Sequence, residues 1–384
     1  MSKRMISVIM TSIMVLALAA GCATPTPTAA PAAPAQPAAP TQAPQVAQPT
    51  IAPAVPTAVM AAPTTAAAAP TTAPAAPAAK KLKVFGAFAT PIEEPWDGAI
   101  NQALTAAKNA GEIDYTFTDN IGTASDMERI LRQVADQQKP DLIMGDAFGS
   151  EAEVRRVAAD YPNIAFAFGS SYGPTEPNVS VFDNWIQEPA YLCGMLAGGL
   201  TKTNKIGIVA AMPIPEVDRL INAFIEGAKK VNPKASIMVS YINNFFDPAT
   251  AKEDALAQIN AGVDILYGER DGVIEAAAQH KLWVFGNMVD QNSLSPDYVL
   301  TGPVWNMTPT VEYLIKEVES GNFTAQDLKD FSMMEKGGAS LAPFHGLDSK
   351  IPAALLKQVT DEEAAINSGA DRIDINEAQP KAVN

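Results

Sequence analysis

From Lys83 onward, short β-branched or aromatic runs alternate with helical stretches rich in Ala, Leu and Glu, and this alternation leaves few folds open. Strands are expected at 83–88, 113–118, 142–146, 164–169 and 179–182, then at 205–210, 236–242, 264–267 and 282–285, with a later one at 299–301. Helices are expected near 98–110, 124–138, 150–160, 187–201, 215–230, 249–261 and 272–280. Several strands are continuous apolar runs, as in sheets covered by helices on both faces. Short βα connections then imply parallel, doubly wound sheets. The pattern comes as two series, before and after about residue 184, so an α/β chain of two lobes is expected. In such sheets ligands bind outside the carboxyl ends of the strands.

The strand-end loops are rich in aromatic, Asp and Asn residues. Trp96 opens a helix in a Pro-bounded loop, and Asp146 and Phe148 follow the third strand. Asn184 and Trp185 follow the fifth, and Phe245 lies past the seventh. Asp271 follows the eighth, Asp290 the ninth, and Trp305 the late strand. Any one aromatic could cap the local core. Several of them converging with carboxylates and amides suggest a slot for a flat ligand, with ring faces for stacking and polar groups for the ligand edge. Trp283, inside an apolar strand, reads as core.

The N-terminus reads as an address. Lys3 and Arg4 precede an uncharged apolar run, too short to span a bilayer comfortably, that ends at Leu18-Ala19-Ala20-Gly21-Cys22. Small residues before a Cys resemble a bacterial lipobox, which makes 1–21 a lipoprotein signal peptide and Cys22 the lipidated residue. Ordinary secretory cleavage is the alternative. Residues 23–79 hold 14 Pro, no charge and no aromatic. Such a stretch buries too little apolar surface to offset its ordering entropy, so 22–79 is expected to be a disordered tether with polyproline II bias. With Cys22 lipidated, Cys193 is the one thiol left, and its apolar surroundings mark it as a buried hydrophobe.

Charge narrows the partners further. The chain carries 27 Lys+Arg against 42 Asp+Glu, and of all these only Lys3 and Arg4 precede residue 80. That acidic excess argues against nucleic acid or an anionic lipid surface as the main partner. Two His and two Cys nearly exclude a His- or Cys-rich metal site or a disulfide scaffold. No phosphate loop, dinucleotide fingerprint, HExxH or GxSxG pattern is present. His280 and His345 come without a clear nucleophile, and nothing in the sequence pairs Glu93, Glu94 and Asp146 for acid–base work. No enzyme activity and no cofactor are expected.

These residues resemble the basic membrane protein (BMP) family of ABC-transporter substrate-binding lipoproteins, over almost all of 81–367. The likeness rests on Trp96 in the first loop, 141–149, 161–166, 187–194 and 214–217. It continues through Phe224-x-x-Gly227-Ala228, Asn232-Pro233, 246–248, 262–265 and 342–344. The resemblance implies a type I periplasmic-binding-protein fold: two Rossmann-like lobes joined by three hinge crossings, near Asp183-Asn184, near Val289-Asp290 and after about residue 325. One lobe would hold 80–183 with about 290–325, the other 184–289 with about 326–384. The family's base-stacking aromatics would fall on Trp96 and Phe245, and its polar contacts on Asp146, Asp271 and Asp290 with Asn184 nearby. Two departures stand out. The family's nucleoside receptors carry an Asp-x-Ser-Phe-Asn-like first loop, where this chain reads Glu94-Pro95-Trp96-Asp97, and a Lys where it has Trp305. Both favour a purine base or a close flat heterocycle over a full nucleoside.

The expected function is that of a monomeric, lipid-anchored, extracytoplasmic receptor that delivers a purine-like solute to an ABC permease. A sensory ligand-binding protein is one alternative, and a sugar or flavin ligand on the same fold another. An extracytoplasmic hydrolase is disfavoured by the missing nucleophile and base.

Overall fold

A computed structural model describes residues 81–380. The signal segment, Cys22 and the tether lie outside the described residues. The first sheet is built from β1 (Leu82–Ala87), β2 (Ile113–Thr118), β3 (Leu142–Asp146), β4 (Ala165–Gly169) and β5 (Val179–Val181), all parallel, in the order β2-β1-β3-β4-β5. The helices α1 (Pro95–Ala110), α2 (Ala124–Gln137) and α3 (Glu151–Asp160) connect its first four strands. β3 and β4 are buried along their whole length, as their unbroken apolar runs require.

The second sheet repeats the plan. It holds β6 (Lys205–Ala210), β7 (Ser236–Tyr241), β8 (Ile265–Gly268), β9 (Trp283–Phe285) and β10 (Val299–Thr301), in the order β7-β6-β8-β9-β10. The helices α4 (Gln187–Leu200), α5 (Pro215–Val231), α6 (Pro248–Asn260) and α7 (Val273–Gln279) belong to this half. α4 is buried on almost every side, because it packs on α5, on α9 (Ala353–Asn367) and on the strands β11 (Pro303–Trp305) and β12 (Ala339–Leu341). Cys193 lies within it, fully buried as expected. Every strand and helix expected in the alternation is present, with ends shifted by a few residues; α8 (Thr308–Glu319) and α9 were not among them.

The chain passes between the two halves three times. The first passage runs from β5 through Asp183 and Asn184 into α4. The second was expected near Val289-Asp290, and here the structure corrects the sequence reading. β10 still pairs with β9 in the second sheet, so the chain leaves that half only after Thr301, through β11, to α8, which packs on α1. The connection from β9 to β10, residues 286–298, returns the chain to pair parallel beside β9, which holds 290–301 with the second half. The third passage begins where Asp327 bridges Val181 and ends where β12 pairs antiparallel with β11. Leu328 N–H donates to Val181 O (2.7 Å) there, so the returning chain lies against the first passage.

Candidate ligand site

All described residues fall in one compact unit, and loops at the carboxyl ends of the two sheets meet across a cleft, where Ser170 contacts Glu216, Phe148 contacts Phe245 and Arg270 contacts Glu94. Within the cleft, Ala89, Thr90, Glu94, Trp96, Asp146, Phe148, Ser170, Glu216 and Phe245 line a narrow cavity of about 40 Å³.

Trp96 is placed by local sequence. Glu94 caps α1: its Oε2 accepts the Trp96 N–H (2.9 Å) and the Asp97 N–H (3.3 Å), while Pro95 sits at the first helical position, where no N–H is needed. The indole ring packs 5.0 Å from Trp305 and 6.2 Å from Phe182, centroid to centroid. Gly169, at the end of β4, makes room for it: a Cβ there would stand 2.1 Å from the Trp96 ring. The Trp96 Nε1 is buried without a hydrogen-bond partner, as is one oxygen of Asp97. The other Asp97 oxygen accepts from the Thr90 N–H (2.8 Å) and hydroxyl (2.7 Å).

Asp146 ends β3, and its Oδ1 accepts the Phe148 N–H at 2.8 Å, which turns the loop and sets the Phe148 ring at the cavity edge. From the other half, Phe245 meets Phe148 edge-on at 4.7 Å. Ser170 donates to Glu216 Oε2 across the cleft (3.2 Å). Arg270, in the loop after β8, reaches Glu94 Oε1 (2.9 Å) with one arm and grips Glu269 with its Nε (3.0 Å) and Nη2 (2.6 Å). Arg219, on α5, pairs with Asp183 (2.6 Å), Asn184 (3.0 Å) and Glu377 (2.8 Å) at the first passage between halves.

Carboxylates thus outnumber guanidinium groups in this buried space, and their proton affinities respond. Burial pushes the Asp146 carboxyl up to about 7; its hydrogen bonds pull the other way, and Glu94 and Asp183 add repulsion. Asp97 and Glu216 are held well above the carboxylate range, by burial first and then by neighbouring carboxylates. Burial also raises Glu94 and Glu269, and Arg270 partly offsets this in both. Such shifts gather where an apolar site holds polar groups aimed inward.

Four of the nine residues singled out from sequence line or edge the cavity together: Trp96, Asp146, Phe148 and Phe245. The others lie elsewhere. Asp271, whose side chain accepts from Gln291 Nε2 (2.9 Å), and Asp290, which bonds His345 Nε2 (2.7 Å), line a separate, wider groove of about 840 Å³ at the rim, beside Pro95 and Leu294. Trp185 lines a third groove of about 900 Å³ that shares Phe148, Ser170 and Glu216 with the cavity. Asn184 is buried in the passage between halves against Arg219 and the Met288 sulfur. Trp305 is core: it packs tilted behind Trp96 and its Nε1 donates to Ser332 (2.7 Å). Sequence reasoning missed Ala89, Thr90, Glu94, Ser170 and Glu216 as lining residues and Arg270 as their neighbour. Ser170 follows β4 directly and Glu216 opens α5 after β6, so the rule that found Asp146 could have found both.

A family model described as ABC transporter substrate-binding protein PnrA-like (Bmp) matches residues 90–337. The chain belongs to this family. A protein of Haloferax volcanii named as an ABC transporter glucose-binding protein is 37% identical over 226 residues, 57% of this chain and 57% of that relative, so the match spans less than two thirds of the relative's length. A purine-binding protein of Brucella abortus is 30% identical over 297 residues, 76% of this chain and 83% of its own. Among solved structures, an ABC transporter solute-binding protein from Conexibacter woesei matches with a TM-score of 0.62 at 21% identity, covering 76% of this chain and 98% of that one. The architecture is the type I periplasmic-binding-protein fold.

Proposed function

We propose that this protein is the lipid-anchored, extracytoplasmic receptor of an ABC importer, and that it closes its two halves over a purine base. One observation carries the ligand class: Trp96, Phe148 and Phe245 surround a narrow cavity edged by Glu94, Asp146 and Glu216, and none of its lining residues is basic. Ring faces suit a flat aromatic solute, and carboxylates suit its N–H donors. A phosphorylated or acidic solute would meet repulsion without a free cation to balance it. The first loop, Glu94-Pro95-Trp96-Asp97, departs from that of the nucleoside receptors and favours the base over a nucleoside, whose ribose hydroxyls would each need a partner once buried, at ~1–3 kcal/mol for one left unpaired. The purine-binding name of the Brucella relative supports this reading. The glucose-binding name of the Haloferax relative favours a second one, a hexose stacked on Trp96.

Calorimetric titration of adenine, hypoxanthine, guanine, adenosine and glucose into the purified protein separates these readings. The expected result is at least one base binding tenfold or more tightly than its nucleoside, with glucose weaker still. Tighter adenosine binding would mean that other residues recover the ribose contacts, and binding of glucose alone would replace the purine reading.

A further inference from the structure

We infer that Arg270 is a positioning residue that draws the two halves together and sets both aromatic walls of the cavity without lining it. Its guanidinium has two duties. Toward its own half, the Nε and Nη2 fork onto Glu269, whose Oε2 in turn accepts the Ala211 N–H (2.9 Å) and whose Oε1 accepts from Asn287 Nδ2 (3.3 Å). Those bonds tie Arg270 to the ends of β6 and β9 whether or not the halves touch. Toward the cavity, Nη1 donates to the Phe245 carbonyl (3.0 Å), and the guanidinium lies 5.8 Å over the Phe245 ring.

The same Nη1 crosses the cleft to Glu94 Oε1. Glu94 is the residue that caps α1 and fixes the Trp96 backbone through its other oxygen. A continuous chain of bonds therefore runs from the second sheet through Glu269, Arg270 and Glu94 to Trp96, with a branch to Phe245. The pair is only 5% and 3% exposed at its side chains, so water does not compete for it in this arrangement. Parting the halves leaves Arg270 its Glu269 partner but takes from Glu94 the one cation paired with it among the described residues. The bond between halves thus biases the protein toward closure, and a guanidinium can hold it with Nη1 while its Nε and Nη2 stay forked on Glu269, which a Lys ammonium cannot do.

This inference rests on the reading that Trp96 and Phe245 wall the ligand, but its test can be made without ligand. In the full chain with Cys22→Ser, spin labels at Tyr172→Cys in the first half and Ala257→Cys in the second report the separation of the halves by pulsed electron resonance. Both positions are exposed, and Cys193 is too buried to label. Glu94→Gln keeps an oxygen for the helix cap and removes the charge. We expect its distance distribution, ligand-free, to shift to longer separations than the parent's. For any solute the parent binds, we expect the off-rate to rise about tenfold. A distribution that coincides with the parent's overturns the inference. If Glu94→Gln melts too early to measure, Arg270→Lys, which keeps the charge and loses the fork, takes its place with the same expected shift and the same overturning result. A parent that binds no purine would refute the proposed ligand and leave the distance measurement standing.

Discussion

Trp96→Ala is the substitution on which the ligand reading depends most. The side chain is 5% exposed, stacks on Phe182 and packs tilted against Trp305, so its removal does two things. Truncating a buried large aromatic costs about 3–5 kcal/mol of stability. Against a native stability of roughly 5–15 kcal/mol, the protein should stay folded at 25 °C with a clearly lower urea midpoint. The loss of stacking on a bound base adds ~1–3 kcal/mol to the binding free energy, which is roughly one to two powers of ten in Kd. The two effects separate by comparison with Trp305→Phe. That variant loses packing and the hydrogen bond to Ser332 behind Trp96 but no group that lines the cavity. Urea unfolding of the ligand-free proteins should show both variants destabilised. Calorimetry with adenine should show the affinity loss in Trp96→Ala alone. Equal losses of affinity in both, or none in Trp96→Ala for every purine tried, would refute stacking on this ring.

Gly169→Ala should push on the Trp96 ring directly, since the added carbon would stand 2.1 Å from it; we expect weaker ligand binding than in the parent together with a lower melting temperature. Asp146 titrates about 7 in the folded protein, above its ordinary 3.8, so the folded state binds its proton more tightly than the unfolded chain does. Its contribution to stability is therefore full below about pH 4 and lost as pH rises through 7. Urea midpoints measured between pH 5.5 and 8 should fall with rising pH, and Asp146→Asn should make that slope shallower, leaving the share of Asp97 and Glu216, whose proton affinities are also raised. Cys22→Ser in the full chain should move the protein from the detergent phase to the aqueous phase on phase partitioning, because stable anchoring requires acyl chains that Ser cannot carry. Equal partitioning of the two forms would reduce Cys22 to an ordinary residue near a cleaved signal.

Much of the fold was written in local pattern. Alternating β-branched runs and Ala/Leu-rich helices specify parallel strands with short returns, and each strand end then lies on the same side of its sheet. Asp146 ends β3 and Phe148 follows it by two residues, Trp96 opens the helix after β1, and Phe245 follows β7, so period and turn chemistry alone bring all four to the cleft. The same logic placed Asp271, Asp290 and Trp305 at strand ends, yet none of them lines the cavity. A strand fixes where its loop begins, not which way a side chain turns within it. Asp271 turns to Gln291 and Asp290 to His345, while Trp305, inside β11, is carried into the core by pairing with β12. The crossing expected near 290 fell after 301 for a related reason: membership of a sheet is decided by the neighbour a strand bonds to, which the strand's own residues do not name. The pairing of Glu94 with Arg270, 176 residues apart, and the contacts of Ser170 with Glu216 and of Phe148 with Phe245 exist only where the two halves meet. Burial then raises the carboxyls that this meeting crowds together, a property that belongs to the assembled cleft and to no segment of the chain alone.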